Sequence, residues 1–148
     1  MMLLTLGLAL FLLVATIGTH YEVLRFASTR ITRIHIVPRM RITIMLTAAL
    51  LSHLLHVLYY AAAFMVVEHY TGLGTIAGPA GHGFGDAFYF SMTCYTTLGI
   101  GDLYPTGVVR MLSGVEALNG LVMVGWTASL TYLYMEKFWK LRGPAEPK

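Results

Sequence analysis

Charged side chains are scarce in this sequence. Only 11% of its 148 residues are Asp, Glu, Lys or Arg, where soluble domains carry about 25%. With 57% hydrophobic residues and a mean hydropathy of +0.69, this excludes an ordinary water-exposed domain and points to a bilayer. Cysteine is nearly absent. Cys94 alone allows no internal disulfide, and it reads as a buried inert thiol before a redox sensor. Acids are fewer than bases, and the net charge of +3 would suit a nucleic-acid binder. The bases sit beside apolar runs, however, so no nucleic-acid partner is expected. There is no internal repeat, so any ring-shaped assembly has to come from several copies of the chain.

What is present is a series of apolar runs with sharp punctuation. The first run spans residues 2–21, about 30 Å as a helix, which matches one bilayer core. Its strongly polar members come at its end, His20 and Glu22. Residues 1–17 carry no basic side chain and no clear small-residue cleavage site, so residues 1–24 are expected to be a retained membrane helix, not a signal peptide. Residues 25–41 hold Arg25, Arg30, Arg33, Arg39 and Arg41 and no acid. Two readings stand: an interfacial helix with its arginines on anionic lipid headgroups, or a plain topogenic loop. These arginines lie outside the apolar spans, which argues against a voltage sensor.

A second apolar run, 42–67, is long enough to span with tilt. Residues 68–85 are rich in glycine and read as an outer loop. Asp86 is a plausible N-cap for a short helix over 86–95, too short to cross a bilayer. A last apolar run follows at 108–139, with Tyr132, Tyr134 and Trp139 as an aromatic belt at its end. Residues 140–148 read as a cytoplasmic tail. With 25–41 and the tail on the cytoplasmic side, all bases but Arg110 lie inside, which gives N-terminus out and C-terminus in.

Between the short helix and the last run stands Thr96-Thr97-Leu98-Gly99-Ile100-Gly101-Asp102-Leu103-Tyr104-Pro105. Glycine at alternate positions lets the backbone alternate its sense, so that successive carbonyls point one way. Four such loops around an axis would stack rings of oxygens able to replace the water shell of a potassium ion. Irregular backbone at membrane depth survives only when buried in protein or lining a water-filled cavity.

The run resembles the Thr-Val-Gly-Tyr-Gly-Asp selectivity filter of potassium channels, and its flanks resemble the pore domain of two-helix bacterial potassium channels. The resemblance implies an all-α membrane protein: three transmembrane helices plus a re-entrant pore helix and selectivity-filter loop, assembled as a homotetrameric pore. It further implies an outer helix at 42–67, a pore helix at 86–95, a filter at 96–102 and an inner helix at 108–139. Carbonyls of Thr97, Leu98, Gly99 and Ile100 would then bind the permeant K+, Gly99 and Gly101 would hold the unusual dihedrals, and Thr96 would lead into the filter. Asp102 would sit at the outer mouth, and Leu98 and Ile100 would turn toward the pore helix. Tyr89 and Phe90 match the aromatic cuff and would pack on Ile100. Thr93 stands where some members carry an acid. Gly120 would be the gating hinge or else a site of close helix contact. Leu121, Val124 and Gly125 would line the cavity. Ile100 replaces the usual tyrosine or phenylalanine, which keeps a weakly selective cation channel as an alternative. A non-conducting scaffold or accessory subunit is the alternative of another class.

Three other features need a reading. Glu116 lies inside the last span, where an acid either braces the filter through the pore helix near Thr93 or Cys94 or reaches outer water. His53 and His56 share a helix face. Zinc wants at least three protein ligands and no third stands at helical spacing, so they read as interior groups bonding a neighbouring helix, with a membrane metalloenzyme as a remote third possibility. His69 and His82 flank the outer loop, where they could tune conduction with pH. Nothing points to an enzyme, and no cofactor other than permeant K+ is expected. The plasma (inner) membrane is the expected location.

Overall fold

A computed structural model describes residues 2–33, 36–79 and 82–140. Four helices carry the fold: α1 (Met2–Arg33), α2 (Pro38–Val66), α3 (Phe84–Tyr95) and α4 (Val109–Lys140). Two-residue strands β1 (Ile76–Ala77) and β2 (Tyr104–Pro105) pair antiparallel, with Ile76 opposite Pro105 and Ala77 opposite Tyr104. Among the described residues, two helical stretches are long and apolar enough to cross a membrane, Leu3–Ile31 and Arg39–Thr71.

The helices differ from the sequence reading at their ends. α1 does not stop at 24; it continues unbroken through Arg25 and Arg30 to Arg33, 32 residues in all, or about 48 Å. The basic segment is therefore divided between two helices, with Arg39 and Arg41 inside the start of α2. α2 begins with Pro38, a residue suited to the first helical position because no backbone donor is needed there. Its far end passes into a π-helical turn, Val67–Thr71, that stops at Gly72 in the left-handed region. α3 begins at Phe84, and Asp86 is not its N-cap. Asp86 sits a turn inside and its Oδ2 accepts the Gly83 N–H at 3.2 Å, which satisfies a donor just ahead of the first turn. The tail expected at 140–148 falls, from 141 onward, outside the described residues.

The core forms three tiers along the helices. At the end near the glycine loop, Ala9 and Leu12 of α1 meet Tyr60, Ala61 and Phe64 of α2, Ala87 and Phe90 of α3, and Val109 and Leu112 of α4. At the opposite end, Leu24, Ala27 and Ile31 of α1 meet Met45 and Ala49 of α2, with Leu130 and Tyr134 of α4 alongside. Between them, Val57, Tyr95 and Met123 form a small apolar group beside a layer of buried polar side chains. α1 thus packs along the pore unit at both ends and in the middle. α4 matches α1 in length but carries buried Glu116 and Asn119.

Candidate ion pathway

The glycine loop is pinned to the last turn of α3. Thr96 N–H donates to the Met92 carbonyl at 3.1 Å, Thr97 N–H to Cys94 at 2.9 Å, and Gly99 N–H to Thr93 at 3.2 Å. Thr96 Oγ1 donates to the Met92 carbonyl at 2.8 Å, and Thr93 Oγ1 to Phe90 at 2.8 Å. The chain leaves the helix through hydrogen bonds that take up its C-terminal carbonyls. Beyond it, φ is positive at every second residue: 58° at Thr97, 52° at Gly99 and 89° at Gly101. The sequence pointed to the two glycines only. Thr97 joins them, although a side chain at positive φ is strained by about 1–2 kcal/mol.

Residues 96–102 are all exposed in the single chain. Leu98 and Ile100 keep 65% and 58% of their surface open, so contact with their own pore helix covers little of either. The expected cuff is also arranged differently. Phe90 is buried and its ring centroid lies 5.2 Å from that of Phe64, in the core. Tyr89 instead stands beside Asp102, whose carboxylate as a hydrogen-bonding neighbour raises the phenol above its ordinary range, with partial burial and the carboxylate charge adding to the effect. Asp102 Oδ1 also accepts the Leu103 N–H at 3.0 Å. Outside Asp102, β2 pairs with β1, and the hydroxyls of Thr75 and Thr106 meet at 2.9 Å. The outer loop is thereby stitched to the strand that leaves the filter. His82 Nδ1 pairs with Glu68 Oε1 at 2.7 Å, and His69 Nδ1 donates to the Met65 carbonyl at 3.1 Å.

α4 backs α3 with three features in turn. Glu116 is fully buried and touches α3 at Ser91, 2.5 Å from Oε1, rather than at Thr93 or Cys94. Ser91 Oγ also lies 2.8 Å from the Val57 carbonyl on α2. Ser91 Oγ therefore stands within donating distance of both oxygens and ties α3 to α2 and α4 at one point. Asn119 Nδ2 donates to Thr16 Oγ1 on α1 at 2.8 Å and lies 3.4 Å from the Tyr60 hydroxyl. At Gly120 a Cβ would fall 2.0 Å from the Tyr95 carbonyl oxygen, so this glycine lets α4 touch the backbone just before the glycine loop. Leu121, Val124 and Gly125 are exposed on the single chain, in line with Leu118 and Val122. Cys94 is half-buried on α3 and free.

His53 and His56 do bond neighbouring helices, through Tyr95 of α3 and Thr127 of α4. They are joined by a third histidine, His20 of α1, with ring centroids 5.0 Å from His53 and 5.4 Å from His56. The sequence search ran at helical spacing and so missed a partner from another helix. The signal in the sequence was a polar residue, His20, at the end of an apolar run beside Glu22.

Comparison with known families matches residues 52–137 to a family model described as an ion channel. A search of curated proteins and a search of solved structures found no match. The matched stretch takes in the second half of α2, all of α3, the glycine loop and nearly all of α4, which is more than half of the chain. On this match, the chain belongs to the ion channel family and is a membrane protein.

Proposed function

We propose that four copies of this chain form a potassium channel that conducts K+ passively down its gradient. The observation that supports it most is the alternation of positive φ at Thr97, Gly99 and Gly101 in a loop tied to the end of a short helix. Such alternation turns the carbonyls of residues 97–101 toward one side, where four chains would make stacked oxygen rings for the ion. α3 directs its carbonyl end toward the same place, favouring a cation there. The exposed apolar surfaces of Leu98, Ile100, Leu121 and Val124 call for cover by other subunits or for an aqueous cavity. In this reading α1, α2 and α4 are the three spans, α4 being the least apolar because it faces the bundle and the pore. Arg25, Arg30, Arg33, Arg39 and Arg41 mark the cytoplasmic face and meet anionic headgroups, which puts the N-terminus outside, in the plasma membrane. Gly120 keeps both roles: close contact with α3, and a hinge if α4 bends there.

A weakly selective cation channel is the second reading. It is favoured by Ile100, an exposed side chain with no group able to donate a bracing hydrogen bond. Reversal potential in a planar bilayer, with potassium on one side and sodium on the other, separates the two. A value near the potassium limit supports the first reading, and a value near zero with clear current supports the second. A confirmed tetramer that never carries current under either gradient would favour the scaffold or accessory subunit.

A further inference from the structure

The polar layer between the two apolar tiers consists of three imidazoles and three hydroxyls. His20 Nδ1 meets Ser52 Oγ at 3.0 Å, and Ser52 Oγ meets His56 Nε2 at 3.4 Å. His56 Nδ1 meets the Tyr95 hydroxyl at 3.0 Å, which meets His53 Nδ1 at 2.7 Å. His53 Nε2 meets Thr127 Oγ1 at 3.0 Å, which closes the circuit to His20 Nε2 at 3.1 Å. Every ring nitrogen therefore has a hydroxyl partner, and every hydroxyl stands between two rings. The proton count closes as well. Three neutral imidazoles bring one N–H each and the three hydroxyls one O–H each, matching the number of bonds in the circuit.

The geometry points to a binding site for a divalent transition metal at His20, His53 and His56, inside the membrane, where α1 meets the pore unit. One nitrogen from each ring lies within 4.8 Å of those of the other two. Neutral imidazoles suit Zn2+, Cu2+, Ni2+ and Co2+, whereas Mg2+ and Ca2+ take oxygen ligands. A ligating histidine normally donates its second N–H to an oxygen that fixes the ring. Here three nitrogens turned to a metal leave three N–H groups facing the oxygens of Ser52, Tyr95 and Thr127, already in place. Bonds of about 2.0–2.1 Å bring tetrahedral nitrogens to about 3.4 Å from one another, so binding draws the rings inward. A water or the Tyr95 hydroxyl would fill the fourth position. His20 and His56 are fully buried, while His53 is only partly so, which leaves one side reachable.

Such a metal would act on a joint. Tyr95 is the last residue of α3 and leads directly into Thr96 and Thr97, and Thr127 belongs to α4. Contraction of the cluster would pull α1 and α2 toward the base of the glycine loop. Metal binding does not depend on the potassium reading; only its effect on current does.

The test uses the full chain purified in detergent. Co2+ titration is expected to give the visible ligand-field bands of a tetrahedral nitrogen site, saturating at one ion per chain. Zn2+ by equilibrium dialysis and elemental analysis is expected to bind with the same stoichiometry. His20→Gln, His53→Gln and His56→Gln should each lower Zn2+ affinity at least tenfold. Thr127→Val, which removes only a supporting oxygen, should lower it by roughly tenfold. His69→Gln, at the outer loop, should leave it unchanged. Should a histidine variant fail to fold, the wild-type cobalt spectrum decides alone. Wild-type chain that takes up no Co2+ or Zn2+ overturns the proposal, as does metal lost in His69→Gln but kept in His20→Gln; the circuit would then be a self-sufficient polar joint.

Discussion

Gly120 and Asp102 show how single positions shape the pathway by opposite means, one by having no side chain and the other by its charge. A methyl at position 120 would sit 2.0 Å from the Tyr95 carbonyl oxygen, and that oxygen is backbone and cannot swing aside. Gly120→Ala is therefore expected to destabilise the folded assembly by about 1–3 kcal/mol, seen as a lower midpoint in a thermal melt of the detergent-solubilised channel. An unchanged midpoint would mean α4 stands further from α3 than described. Asp102 is exposed, stands beside Tyr89 and accepts the Leu103 N–H; in the channel reading it contributes charge at the mouth. Asp102→Asn should lower single-channel conductance by roughly twofold or more in dilute salt, because the local cation concentration falls. The deficit should shrink in concentrated salt, where the Debye length drops to about 3 Å. Equal deficits at both salts would assign Asp102 a purely structural part. Thr97 is the residue least legible in advance. Its positive φ comes from the hydrogen bonds of its neighbours to the end of α3, and no side-chain preference announces it.

At the scale of elements, buried polar contacts decide which helix faces meet. Glu116 of α4, Ser91 of α3 and the Val57 carbonyl of α2 form one junction behind the glycine loop. Glu116→Gln keeps an oxygen able to accept from Ser91 and should preserve tetramer stability and conduction. Glu116→Leu removes it and should cost about 1–3 kcal/mol. Combined with Ser91→Ala, it should show a coupling of about 0.5–3 kcal/mol in a double-mutant cycle on unfolding. A coupling of zero would separate the two residues. The contact of Asn119 with Thr16 does the same work for α1. Thr16→Val should loosen α1 from the pore unit by about 0.6–2 kcal/mol, the usual range for hydrogen bonds between membrane helices. Protease accessibility of the segment joining α1 and α2 would report the loosening, and unchanged cleavage would mean that the apolar tiers alone hold α1.

For the whole molecule, the open question is what covers the exposed apolar side of the loop and of α4. One loop per chain and no internal repeat call for several copies, and the four-fold reading expects a cross-linking ladder of purified chain that ends at four. A ladder ending at two would leave the carbonyls of residues 97–101 without a closed ring.

Much of the architecture was legible in the sequence, for reasons that are local. Low charge, apolar runs of bilayer length, alternate glycines and the Asp-Leu-Tyr-Pro exit are properties of short stretches, and each limits the backbone without help from distant residues. They gave the all-α membrane class, the order of helices and the place of the loop. The helix ends were less legible: Arg25 to Arg33 reads equally as a loop or a helix, and only continuity with α1 decides for the helix. Contacts across helices were not legible at all. His20 lies more than thirty residues from Ser52 and His53 in sequence yet closes a circuit with them, because burying three imidazoles in an apolar bundle requires every nitrogen to find a partner. The same pressure set Glu116 against Ser91, while apolar burial against Phe64 turned Phe90 into the core. Sequence determined what could lie in a membrane and where the chain could turn; tertiary structure alone decided which polar groups, far apart in the chain, satisfy one another there.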